Sequence, residues 1–165
     1  MAATIRSARQ LDADPPEWTR RARVVVVGAG AAGLTAAMQL AGAGVDTVLL
    51  SSGTLFDSAT AISTGRLSTW TGPHDYEKAL RAGAGVADGR ALRRLLETAP
   101  LVRARLMDFI ERADAAEASP YETNGRRVQR SLVSVVRAMA ARPGTSLRID
   151  ASTRGVDVLT DGSGR

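Results

Sequence analysis

Apolar and polar positions recur along this 165-residue chain with a period that changes several times, and each change marks an element. Val24–Val27 is an unbroken β-branched run, the pattern of a buried strand. Leu34–Leu40 then takes helical spacing and stops at Gly42-Ala43-Gly44, after which Thr47–Leu50 reads as a second apolar strand. Pro73 and Asp75 open a helix through about Arg81 that stops in Gly83-Ala84-Gly85. Asp88 is an N-cap for the next helix, with Leu92, Leu95 and Leu96 on one face. Pro100 predicts its end and the first turn of another helix, in which Val102, Leu106, Phe109 and Ile110 keep helical spacing to about Ala115. Asn124-Gly125 marks a turn, and Val128, Leu132, Val135, Val136 and Met139 form a stripe ended by Pro143-Gly144. All three helical stripes read as core faces. Leu147–Asp150 and Val156–Thr160 read as strands separated by a bend at Asp150–Gly155, and Asp161-Gly162 signals a hairpin with no second arm. Strands alternating with helices imply an α/β fold, a parallel sheet flanked by helices, and the one-armed hairpin makes it read as truncated.

The junction between the first strand and the first helix carries the chemistry. Four valines run directly into Gly28-x-Gly30-x-x-Gly33, and the helix follows at once. A strand turning sharply into a helix presents the helix's first N–H groups and its positive dipole end to a diphosphate, which is what a dinucleotide needs. The competing reading, a Gly/Ala-rich buried helix with no ligand, does not explain the strand–turn–helix–strand unit. In such sites an Asp or Glu usually closes the second strand and holds the ribose hydroxyls. Here Ser51-Ser52-Gly53 stands there, while Asp46 precedes the strand and Asp57 follows well after it. Selection of NAD by a carboxylate is therefore not supported.

The run from Val48 to Leu67, V-L-L-S-S-G-T-L-F-D-S-A-T-A-I-S-T-G-R-L, resembles the segment of L-aspartate oxidases that has a serine in place of the acidic residue, followed by S-T-x-x-A-Q-G-G against FAD. Arg81–Ala87 with Asp88 resembles that family's A-G-A-G-x-x-D helix end. The wider group of succinate dehydrogenase and fumarate reductase flavoproteins shares the architecture, and Ser51 makes the aspartate oxidases the nearer resemblance. Together the motifs cover most of residues 23–115. The resemblance implies that Gly28, Ala29, Gly30, Ala31, Ala32 and Gly33 surround the FAD pyrophosphate and that Ser51 and Ser52 lie near the adenosine ribose. It implies that Ala59, Thr60, Ser63, Thr64, Gly65 and Arg66 run along the flavin. Ala59 stands where succinate dehydrogenases attach flavin through histidine, so the FAD implied here is noncovalent. Where the family has A-Q-G-G this chain has Ser63-Thr64-Gly65-Arg66, with a long cation at a glycine position.

Composition narrows the remaining classes. There is no cysteine, which excludes disulfides, thiol catalysis and cysteine-ligated metals and fits a cytoplasmic protein. His74 is the single histidine and sits in a polar stretch, which reads as an exposed loop residue. No carboxylate pair stands at a spacing that argues for acid–base work, so no catalytic or metal-binding residue is assigned. The net charge of +5 is almost wholly arginine, densest between Arg81 and Arg142. Arg90, Arg93, Arg94, Arg103, Arg105 and Arg112 alternate with acidic residues opposite the leucines, the pattern of a solvated helix surface, and nucleic acid is not an expected partner. Residues 1–22, with Pro15-Pro16 and no apolar core, read as a flexible leader before a partial dinucleotide-binding domain over 23–165. Val24–Val45 is charge-free, yet its glycines and its switch from β-branched to helix-forming residues argue against a membrane span.

The resemblance implies the FAD-binding part of an enzyme that oxidises L-aspartate to iminoaspartate on the way to quinolinate and NAD. Aspartate oxidases are several times longer, and the capping domain, the substrate-binding arginines and the glycine-, histidine- and arginine-rich loop have no counterpart here, Tyr121–Asn124 standing in the loop's place. Little or no oxidase activity is expected from this chain alone. Two alternatives stay open: a stand-alone FAD or adenine-nucleotide module completed by a second polypeptide, and a truncated product without function.

Overall fold

The computed structural model describes residues 19–65, 73–114, 124–156 and 158. Its elements run β1 (Val24–Val27), α1 (Ala31–Gly42), β2 (Thr47–Leu50), α2 (Ala59–Ile62), α3 (Pro73–Ala82), α4 (Gly89–Asp114), α5 (Asn124–Ala140) and β3 (Leu147–Asp150). Among the described residues the strands form one parallel sheet in the order β1-β2-β3, with Val24 opposite Thr47 and Thr47 opposite Leu147. This is the α/β arrangement expected from the alternation of elements.

The β1–α1–β2 unit forms because each part closes the hydrogen bonds that the next leaves open. α1 ends in a Schellman arrangement: Gly44, at φ +71°, donates to the Ala41 carbonyl at 3.0 Å and Val45 donates to Leu40 at 2.9 Å. The chain thereby reverses straight into β2. Leu34, Ala37 and Met38 of α1 pack with Leu49 of β2, Leu147 of β3 and Val128, Leu132, Val133 and Val136 of α5, and this is the core. α5 therefore covers the same sheet face as α1, which brings a distant segment behind the glycine bend.

Several expectations need correction. β1 is not buried on both faces: Val26 packs on the core, whereas Val25 and Val27 are 52% and 69% exposed on the opposite face, because no described element covers it. Pro100 does not end a helix; α4 runs through it from Gly89 to Asp114. A proline removes one i→i−4 bond and crowds the preceding turn, but on an exposed helix water reaches the freed carbonyl. Nearby, the Thr98 hydroxyl donates back to Arg94 O at 2.8 Å. The α4 stripe is only partly a core face, since Leu92, Leu96 and Leu106 are half-buried while Leu95 and Val102 are exposed. Phe109 and Ile110 lie where side chains fall outside the described residues. Asn124-Gly125 is the start of α5 rather than a turn. Val156 is exposed and lies in no strand, and the hairpin at Asp161-Gly162 lies outside the described residues, as does most of the N-terminal segment.

Other expectations match. Asp88 caps α4, its carboxylate accepting from the amides of Arg90 and Ala91 at 2.8 and 3.1 Å. α3 lies where the Pro73–Arg81 signals put it and packs on α4, with Arg93 stacked over Tyr76 at 5.0 Å. Arg90, Arg94, Arg103 and Arg105 are exposed on α4. No helix among the described residues is long and apolar enough to cross a membrane, Val24–Val45 being split between β1 and α1.

Candidate functional site

The bend at the end of β1 is built from backbone, and its glycines do separate work. Gly28 sits at φ +105°, a conformation L side chains rarely adopt, and its amide donates to Leu50 O at 2.8 Å. This bond ties the bend to the carboxyl end of β2. Gly33 lies in the first turn of α1, where an added Cβ would run into the Gly28 carbonyl oxygen and come within 3.5 Å of Val26 Cγ1. The helix can approach the strand this closely only without a side chain there. Gly30 is the N-cap of α1, with extended backbone (φ −74°, ψ 179°) and no side chain to satisfy the amides of the first turn.

Those amides are the chemistry. Leu34 donates to Gly30 O at 2.9 Å as the first regular helical bond, and Ala31 donates to Thr60 Oγ1 at 2.9 Å. The amides of Gly30, Ala32 and Gly33 have no partner among the described residues, and Ala32 is exposed. N–H groups without a partner among the described residues, at the positive end of a 12-residue helix with no acidic side chain in its first turn, offer donors to an anion. The donor set fits the diphosphate of a dinucleotide, and the fit depends on backbone alone.

Thr60 comes from α2, which Ser58 opens by accepting from Ala61 N at 3.2 Å. The Thr60–Ala31 bond puts the 59–65 segment beside the N-terminus of α1. Ser63 Oγ donates to Thr60 O at 2.8 Å and accepts from Gly65 N at 3.2 Å, which shapes the exit from α2. Gly65, at φ +66°, and Gly125 then meet backbone to backbone: an added Cβ at Gly65 would fall on Asn124 and Gly125, and one at Gly125 on Thr60 O and Ser63. Gly125 is thus explained by close approach rather than by a turn. Ala59, Ser63 and Thr64 are exposed, whereas Arg66 lies outside the described residues.

The serines after β2 differ from each other. Ser51 is buried, donating its hydroxyl to Thr54 O at 3.0 Å, its amide to Asp150 O at 3.0 Å, and accepting from Thr153 N at 2.8 Å. Its proton is therefore engaged within its own loop, while Ser52 beside it is exposed. The same loop is closed by Asp57, whose carboxylate accepts from Thr54 N at 2.6 Å and is held below the usual carboxylate range by hydrogen bonds from Thr54. A cavity of about 430 Å³ opens between Phe56, Asp57, Ser58, Ala59, Ala61, Ile62 and Arg126. Of the residues expected individually at the FAD, Ala59 lines it.

Gln129 of α5 was missed by sequence reasoning. It is fully buried, and its Nε2 donates to Ala29 O at 2.6 Å and to Leu55 O. One signal could have exposed it: Gln129, Leu132, Val133 and Val136 stand at i, i+3, i+4 and i+7, so an amide occupies a core-facing position of an otherwise apolar stripe.

A parallel sheet, a strand–glycine bend–helix junction and bare amides at the helix end define a dinucleotide-binding fold of the Rossmann type. Comparison with known proteins resolves the class further. Residues 23–154 match the family model described as FAD binding domain, and the chain belongs to that family. It is 32% identical to L-aspartate oxidase from Streptomyces coelicolor over 94% of its own length, and it spans about 30% of that relative. FAD is the cofactor. Among the described residues no group of histidine, cysteine, aspartate and glutamate could hold a metal ion.

Proposed function

We propose that this chain is the nucleotide-holding part of a flavoenzyme that oxidises L-aspartate. The observation that carries the reading is the similarity to an L-aspartate oxidase along nearly the whole chain, and a bend whose amides at Gly30, Ala32 and Gly33 have no partner among the described residues supports it. The amides of Gly30, Ala32 and Gly33 would hold the diphosphate, Ser52 would stand at the ribose, and Ala59 to Arg66 would run toward the flavin, noncovalently because Ala59 offers no nucleophile. Bound FAD supplies an electron-accepting ring; the protein supplies position and a local field. No described side chain near the bend pairs an acid with a base, since Asp57 is committed to its own loop. Oxidase activity from these residues alone is therefore expected to be low. A cytoplasmic location belongs to the same reading, on the absence of cysteine.

Among the described residues β1 is an edge strand, and that edge with its exposed Val25 and Val27 favours a second reading, a binding module that further polypeptide completes. One experiment addresses both. The purified chain is saturated with FAD and its visible spectrum recorded, then L-aspartate is added and peroxide measured. A flavin spectrum with aspartate-dependent peroxide supports the enzyme, activity only on adding a second polypeptide supports the module, and a chain that FAD cannot colour refutes both.

A further inference from the structure

A carboxamide with no exposure, sitting among leucine and valine, calls for a physical reason. Gln129 Nε2 faces two carbonyl oxygens, Ala29 O and Leu55 O, so the orientation of its amide is fixed by its partners. Its Oε1 is buried with no hydrogen-bond partner. A core position that served stability alone would be better filled by an apolar side chain, because a half-satisfied buried amide is unfavourable. The residue earns its place through what its donors hold.

Those donors hold the two loops of the candidate nucleotide site from behind. Ala29 belongs to the glycine bend and Leu55 to the loop that follows β2, and a single side chain of α5 bonds both carbonyls. The Ala29–Gly30 peptide is planar and trans, so its carbonyl and the Gly30 amide point in opposite directions. Drawing Ala29 O inward onto Gln129 turns the Gly30 N–H outward, away from the core. We infer that Gln129 is a positioning residue for FAD: by anchoring Ala29 O and Leu55 O it aims the Gly30 amide at the diphosphate and sets the spacing between the glycine bend and the loop after β2. This rests on the proposed diphosphate site and assigns a role to a side chain that does not touch the ligand.

The test separates orientation of the diphosphate donor from a general loosening of the fold. ADP and adenosine are titrated into the wild-type chain, Gln129→Glu and Gln129→Met at pH 8, with folding checked by circular dichroism. A carboxylate or a thioether cannot donate to either carbonyl, so the dissociation constant for ADP is expected to rise about tenfold or more, one hydrogen bond in affinity terms. Adenosine, which has no phosphate, is expected to stay within about twofold. A protonated glutamate regains one donor and methionine never does, so over a pH series ADP affinity relative to wild type at the same pH is expected to recover toward acid for Gln129→Glu and not for Gln129→Met. Equal losses for ADP and adenosine, or unchanged ADP binding in a folded variant, overturn the inference. A wild-type chain that binds neither ADP nor FAD overturns the diphosphate site and the inference together.

Discussion

Replacing Gly33 by alanine tests the geometry of the bend with one methyl group. In an exposed helix the change would be favourable by up to about 1 kcal/mol, since glycine has more backbone freedom to lose. Here the methyl would run into the Gly28 carbonyl oxygen, and both sides of the clash are backbone. Neither can rotate away, so the β1–α1 junction must open, at a cost of about 3 kcal/mol, the upper part of the range for overpacking. Gly42→Ala is the control, because it adds the same methyl near the other end of α1 with nothing within 4 Å. It should be neutral or stabilise by about 0.5 kcal/mol. For a chain of this size each kcal/mol moves Tm by roughly 2–4 °C, so Gly33→Ala should fall by about 6–12 °C while Gly42→Ala stays level or rises slightly. Circular dichroism melts of the three proteins, with and without FAD, measure this. FAD should also raise the Tm of Gly33→Ala less than that of wild type, because the amides move with the bend. A Gly33→Ala melt within about 2 °C of wild type would refute the reasoning.

Further outcomes follow from single contacts. Thr60→Val removes the acceptor of the Ala31 amide and should lower stability by about 1 kcal/mol, with Thr60→Ser restoring it, as read by urea unfolding. Pro100→Ala in the middle of α4 should raise Tm, by an amount corresponding to at most about 3 kcal/mol, and an unchanged or lowered melt would argue against a continuous helix there. Asp57 gives a pH dependence with a definite sign. Its pKa in the folded chain lies below the unfolded value of 3.8, so its contribution is present above that value and is lost as the pH falls through the folded pKa. Asp57→Asn should therefore flatten the acid side of the stability profile below about pH 4 while changing little at neutral pH, because an amide oxygen can still accept from Thr54.

The local parts of this fold were readable from the sequence because their causes are local. Val24–Val27, the Gly28-x-Gly30-x-x-Gly33 bend, the stop at Gly44 and the cap at Asp88 each follow from conformational limits that a few neighbouring residues impose. What was misread depends on what lies across from a residue. Pro100 looks like a stop until the exposure of α4 shows that its lost hydrogen bond can be made to water. Gly125 looks like a turn glycine until Ser63 and Thr60 stand against it. Gln129 was invisible because its partners lie 74 and 100 residues away.

These distances explain how a nucleotide site can persist while the chemistry around it changes. The donors at the bend are backbone amides, so substitution of Ala29, Ala31 or Ala32 by another small residue leaves them in place. What holds the amides in position is a set of contacts from elsewhere: Leu50 O on Gly28, Thr60 on Ala31, Gln129 on Ala29, and Gly65 against Gly125. The geometry of the bend therefore depends on α2 and α5 as well as on the glycine motif. The match to the FAD-binding family accordingly extends through α5 and β3 to residue 154 rather than ending with the β1–α1–β2 unit. A chain cut back to that unit should lose FAD binding despite keeping every glycine of the bend, and comparing FAD titrations of residues 19–58 with those of the whole chain measures it; retained binding by the shorter piece would show that the bend orients itself.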